Sequence, residues 1–136
     1  MKHKGLTLLW CALSLLFSLS AGAQDYMTAE IIPGNNPEEW TLELSLENPE
    51  GTNYTAFQMD IDLPEGFSIV EHSATASTRL PDHSIAVNAH PSGVYKLVAY
   101  SLTNAAIVGN SGCVATLAIT ADATVTTGDY TATLKD

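Results

Sequence analysis

The chain has 136 residues, with 15 acidic side chains against five Lys and Arg and a formal charge of −10. That balance excludes nucleic acid and anionic membrane as expected partners, because both are held by a basic surface. It suits an exported protein; selection of a basic protein partner and plain solubility explain it equally well.

Residues 1–23 read as a secretory signal peptide. Lys2, His3 and Lys4 make a basic start, residues 6–19 form an apolar run broken only by Thr7, Ser14 and Ser18, and Ala21-Gly22-Ala23 offers small residues to signal peptidase. The run is shorter than the about 20 residues of a spanning helix. Cleavage and no later membrane insertion are therefore expected, with a retained anchor as the alternative. Cys11 stands behind Trp10, which does not suit a lipoprotein. The mature chain, residues 24–136, is long enough for one domain with its own core. It keeps three cations, Arg79, Lys96 and Lys135, against all 15 acids, a formal −12. It also keeps a single cysteine, Cys113, so no internal disulfide forms. Cys113 shares parity with the apolar residues of its strand and reads as a buried small hydrophobe.

Residues 26–32 make a plausible first strand, closed by Pro33-Gly34-Asn35-Asn36-Pro37, a run of turn formers. Residues 39–47 give the clearest alternation. Trp40, Leu42, Leu44 and Leu46 would spread around a helix but line one face of a strand. After a turn at 48–53, residues 55–63 alternate again, with Phe57, Met59, Ile61 and Leu63 opposite Gln58, Asp60 and Asp62. Pro64-Glu65-Gly66 breaks the strand and residues 67–70 resume it. Residues 71–81 read as a loop or weak edge strand, 84–89 as a short strand, and 94–101 as a long one. Residues 103–112 are a loop with a possible short strand at 106–108. Residues 113–122 form a second long strand, and 128–134 place Tyr130, Ala132 and Leu134 on one side. Strands 94–101 and 113–122 are expected near the centre of any sheet. The whole predicts an all-β, antiparallel jelly-roll β-sandwich of eight or nine strands, with no sustained helical period.

Three stretches resemble the cohesin family and the carbohydrate-binding β-sandwich superfamily around it. FQMDIDL at 57–63 is similar to the family's early strand. LVAYS at 97–101, followed by Asn110-Ser111-Gly112, is similar to its mid-domain strand and loop. VATLAI at 114–119 is similar to the strand after that loop, and Gly128-Asp129-Tyr130 to the start of a late one. The likeness covers about residues 29–136. It implies a secreted, cohesin-like, non-catalytic module that meets a dockerin-like protein partner in a polysaccharide-processing or cell-surface assembly, with a carbohydrate-binding module or a structural spacer domain as the alternatives. Two departures stand out. Leu63-Pro64-Glu65-Gly66 replaces the family's usual Tyr-Asp-Pro, and the family pattern expects a further strand after the last one here, as if the chain were a piece of a longer multidomain protein.

Catalysis finds little to stand on. Asp82-His83-Ser84 has a triad's residue types, but adjacent residues cannot form a relay. His72, His83 and His90 lack metal-ligand spacing. Asp60 and Asp62 share a strand face roughly 7 Å apart, a spacing compatible with glycoside hydrolysis or part of a calcium site. Neither has supporting residues nearby, and a solvated face is the better reading. Asn53-Tyr54-Thr55 fits a glycosylation sequon, read as incidental. No enzyme activity, metal or cofactor is expected. If Lys96 points to solvent, so does Tyr100, two residues on. Gln58, Asp60, Lys96 and Tyr100 would then make a flat polar patch on neighbouring strands, where the resemblance puts the partner. Trp40, by contrast, keeps the parity of three leucines and belongs to the core.

Overall fold

The computed structural model describes residues 24–135; the expected signal peptide at 1–23 lies outside the described residues. Nine strands run in order: β1 (Tyr26–Pro33), β2 (Glu39–Glu47), β3 (Phe57–Asp62), β4 (Phe67–Ile69), β5 (Thr75–Ala76), β6 (Ser84–Ala89), β7 (Tyr95–Tyr100), β8 (Cys113–Ala121) and β9 (Thr133–Lys135). They form two sheets, with every pairing antiparallel. One sheet has the order β1-β2-β8-β4, with β5 joining β8 on the same side as β4; the other has the order β6-β7-β3-β9.

Alternation in β2 sends Trp40, Leu42, Leu44 and Leu46 inward. The same rule buries Leu117 and Ile119 from β8, Met59 and Ile61 from β3, and Leu97 and Ala99 from β7. These rows face one another and make a single core. At one end Trp40, Phe67 and Tyr130 meet edge to face, with centroids 5.0–5.7 Å apart, a favoured arrangement of aromatic quadrupoles. The Trp40 indole N–H donates to the Pro37 carbonyl at 3.0 Å, so its one polar atom is satisfied.

The two long strands β7 and β8 are consecutive in sequence but lie in different sheets, each internal to its own. Residues 101–112 carry the chain across, and Arg79 holds that crossing. Its Nε donates to Val108 O at 2.6 Å, Nη1 to Leu46 O and Gly112 O at 2.6 and 2.8 Å, and Nη2 to Asn48 Oδ1 and Gly109 O at 2.9 Å. Arg79 and Asn48 are both buried. The Arg79 carbonyl completes the tie by accepting from Val108 N at 2.9 Å.

Three expectations are corrected. Residues 106–108 form no strand; instead Ile107 is buried and its N–H donates to Tyr54 O at 2.7 Å. The last strand covers only Thr133–Lys135, because its partner β3 ends at Asp62, opposite Thr133; Tyr130, Ala132 and Leu134 nonetheless all pack on the core, as their parity predicts. Cys113 is half-buried and not part of the core. The β2–β8 register steps from Leu44↔Ala115 to Ser45↔Cys113, passing over Val114. This bulge reverses parity beyond it, so Cys113 stands opposite Ser45 on the outer side while Val114 is buried.

Candidate functional site on the outer face of the four-stranded sheet

The sheet β6-β7-β3-β9 has one face in the core and one in solvent, as antiparallel sheets commonly do. On β3, Met59 and Ile61 go inward, so Gln58, Asp60 and Asp62 go outward. On β7, Leu97 and Ala99 go inward, so Lys96, Val98 and Tyr100 go outward. Register joins the two rows, Gln58 opposite Val98 and Asp60 opposite Lys96. All four residues of the expected patch, Gln58, Asp60, Lys96 and Tyr100, thus lie on one face. The outward residues of the flanking strands extend it: Ser84, Ala86 and Asn88 on β6, Thr133 and Lys135 on β9.

Two ion pairs cross the face. Lys96 Nζ lies 2.8 Å from Asp60 Oδ1, and Lys135 Nζ lies 3.8 Å from Asp62 Oδ2. Asp60 and Asp62, considered above as a catalytic or calcium-binding pair, each have a lysine counter-ion instead. The pairing also sorts the charge of the molecule. Of the three cations among the described residues, Arg79 is buried, and the two exposed ones, Lys96 and Lys135, both stand here. The face is near neutral in a domain whose other surfaces are acidic.

Tyr100, 39% exposed, is the one aromatic among the described residues of this face. Tyr95 goes the other way, and its hydroxyl accepts from Ile69 N of the opposite sheet at 3.2 Å. Trp40 is in the core, as its parity predicts. The histidines stay apart: His83 Nε2 bonds Thr55 O at 2.9 Å, and His90 Nδ1 bonds Ser92 Oγ at 2.9 Å. Asp82 accepts from the Thr103 hydroxyl and not from His83. Among the described residues no group of three or more His, Cys, Asp or Glu is placed to hold a metal. Sequence reasoning missed the Lys135–Asp62 pair, since a three-residue strand at the end of a loop carries no period of its own.

No protein-family model matches the sequence, and no curated protein matches it. Solved structures do. A chain of the CaDoc0917–CaCohA2 complex, a dockerin–cohesin complex, superposes with a TM-score of 0.60 at 19% identity, covering 81% of this chain and 82% of that one. The seventh ScaB type I cohesin from Pseudobacteroides cellulosolvens superposes with a TM-score of 0.56 at 14% identity, covering 81% of this chain and 74% of that one. These likenesses span the two-sheet sandwich and establish that this chain has a cohesin-like fold.

Proposed function

We propose that the chain is a non-catalytic interaction module whose outer β6-β7-β3-β9 face binds a protein partner of the dockerin type, with Gln58, Asp60, Lys96 and Tyr100 at the contact. The observation that carries this reading is that, among the described residues, both exposed lysines gather on one polar face that holds a single aromatic. A polysaccharide platform stacks sugar rings on several exposed aromatic faces, and one tyrosine offers little area for that. A protein surface is served by hydrogen-bonding and paired ionic groups with charge of either sign to exchange. The fold supports the same reading, since one of the similar structures is of a dockerin–cohesin complex. Export through residues 1–23, and a place in a longer secreted or cell-surface protein that handles polysaccharide, complete the proposal.

Calorimetric titration of residues 24–136 against purified dockerins, beside a glycan array, tests it. Expected is dockerin binding that falls about tenfold in Lys96→Glu, where a like charge is set beside Asp60 and the steering cation is lost. Glycan binding abolished by Tyr100→Ala, with no dockerin bound, would overturn it in favour of a carbohydrate-binding module.

A further inference from the structure

The free edge of β6 is a second surface, distinct from the face. His90 N donates to Val94 O at 2.8 Å beyond the end of the β6–β7 ladder. Bonded pairs recur at every second residue of an antiparallel ladder. With the observed register, Asn88–Lys96, Ala86–Val98 and Ser84–Tyr100 are the bonded pairs. Ile85, Val87 and Ala89 therefore turn their N–H and C=O groups away from β7. β6 ends its sheet, and among the described residues no other segment hydrogen-bonds to these three backbones.

Side chains at the same three positions point to the inner side, where Ile85 and Val87 pack on the core. They line a cleft of about 550 Å³ between the two sheets, walled opposite by Ile69 and Val70 and floored by Tyr95 and Leu117. That volume lies in the range of ligand-holding clefts. The far wall is fixed, because Val70 N donates to Ala118 O at 2.9 Å and the Ser73 hydroxyl to Val70 O at 2.7 Å. Within Ser84–Ala89 there is no charge, proline or bulge, the usual devices that blunt an edge.

We propose that this edge takes up an extended peptide segment of a partner protein, added as a strand beside β6. Residues of the segment opposite Ile85, Val87 and Ala89 would send their side chains into the cleft. The segment therefore carries apolar residues at alternate positions. Its ends are basic, because Glu71 stands on the cleft rim, Asp82 just before β6, and residues 24–136 carry three cations against 15 acids, a formal −12. The same charge opposes a second copy of this chain as the occupant. The added strand would extend the sheet without covering its outer face, so this proposal does not depend on the dockerin reading.

The test uses the synthetic peptide KVTITVK, its scramble KTTVVIK and the acidic EVTITVE. Expected is binding of KVTITVK about tenfold tighter than either control, with amide exchange slowed at Ile85, Val87 and Ala89 but not at Ala86 or Asn88. Val87→Pro removes an edge N–H without breaking a β7 bond and should abolish binding, while Gln58→Ala leaves it unchanged. Equal binding of the three peptides, full affinity in a folded Val87→Pro, or protection elsewhere would each overturn the proposal. So would a peptide-free dimer protecting the same amides. Should Val87→Pro fail to fold, the wild-type exchange map decides alone.

Discussion

Arg79 shows how one side chain can organise loops that have no period. Its guanidinium donates to four backbone carbonyls and to the Asn48 side chain. All are neutral acceptors, so geometry and not charge pairing holds it, and a planar fork is what several fixed acceptors require. Arg79→Ala leaves buried carbonyls unsatisfied, at about 1–3 kcal/mol for each group that water does not reach. Urea denaturation should show a loss of about 3 kcal/mol or more. Arg79→Lys should recover only part of it, since an ammonium offers three donors from a single point. Cys113 is the other residue whose setting decides its chemistry. Partial burial, and after it the carboxylate of Glu43, push its thiol above the usual cysteine range. A raised value means less thiolate at a given pH. Alkylation by iodoacetamide at pH 8 should therefore run slower than for a free thiol and should still be climbing with pH where a free thiol levels off. Glu43→Gln, by removing the nearby negative charge, should speed it.

At the scale of elements, sequence pattern and structure agree where a strand is long and two-sided. β2 and β6 occupy the positions that alternation assigns, and Gln58, Asp60, Lys96 and Tyr100 share a face because β3 and β7 keep strict parity. Cys113 escaped because a bulge at Val114 shifts the count by one, and no local property of CVAT marks a bulge. Arg79 escaped because a lone arginine in a polar stretch looks solvated, while its acceptors lie about 30 residues away. The β6 edge and its cleft were not legible either, because they depend on which strand ends the sheet. The turn before β4 is a local feature with a clear cost of change. Gly66 has φ +92°, and a Cβ there would come within 2.7 Å of Val125 Cγ2 and 3.0 Å of Asp122 Oδ1. Gly66→Ala should lower stability by about 2 kcal/mol, through both the strained backbone and the crowding, read as a shift in urea midpoint. Asp122 belongs to the same contact. The hydroxyl and backbone N–H of Thr124 hold its carboxyl below the usual range. A depressed folded value stabilises fully above about pH 4, the ordinary carboxylate range, and that contribution fades as pH falls through the lower folded value.

For the molecule as a whole, charge is the dominant surface property. Residues 24–136 carry three cations against 15 acids, with one cation buried, so most of their surface repels itself. Screening shortens the reach of that repulsion from about 30 Å at 0.01 M salt to about 8 Å at 0.15 M. The melting temperature should therefore rise with sodium chloride over this range, the reverse of what loss of the Lys96–Asp60 and Lys135–Asp62 pairs alone would give. The crossing held by Arg79 bears finally on time. Its acceptors come from the end of β2 and from the loop that precedes β8, about 30 residues away on either side, so the guanidinium can be seated only after β2 and β8 have paired and the crossing has closed beside them. Such long-separation contacts form late on a route already slowed by β topology. Substitution of Arg79 should then leave the refolding rate almost unchanged and make unfolding faster, so that the arm of the chevron at high denaturant carries nearly the whole effect. A single buried arginine would in that case act as a latch on the lifetime of the native sandwich.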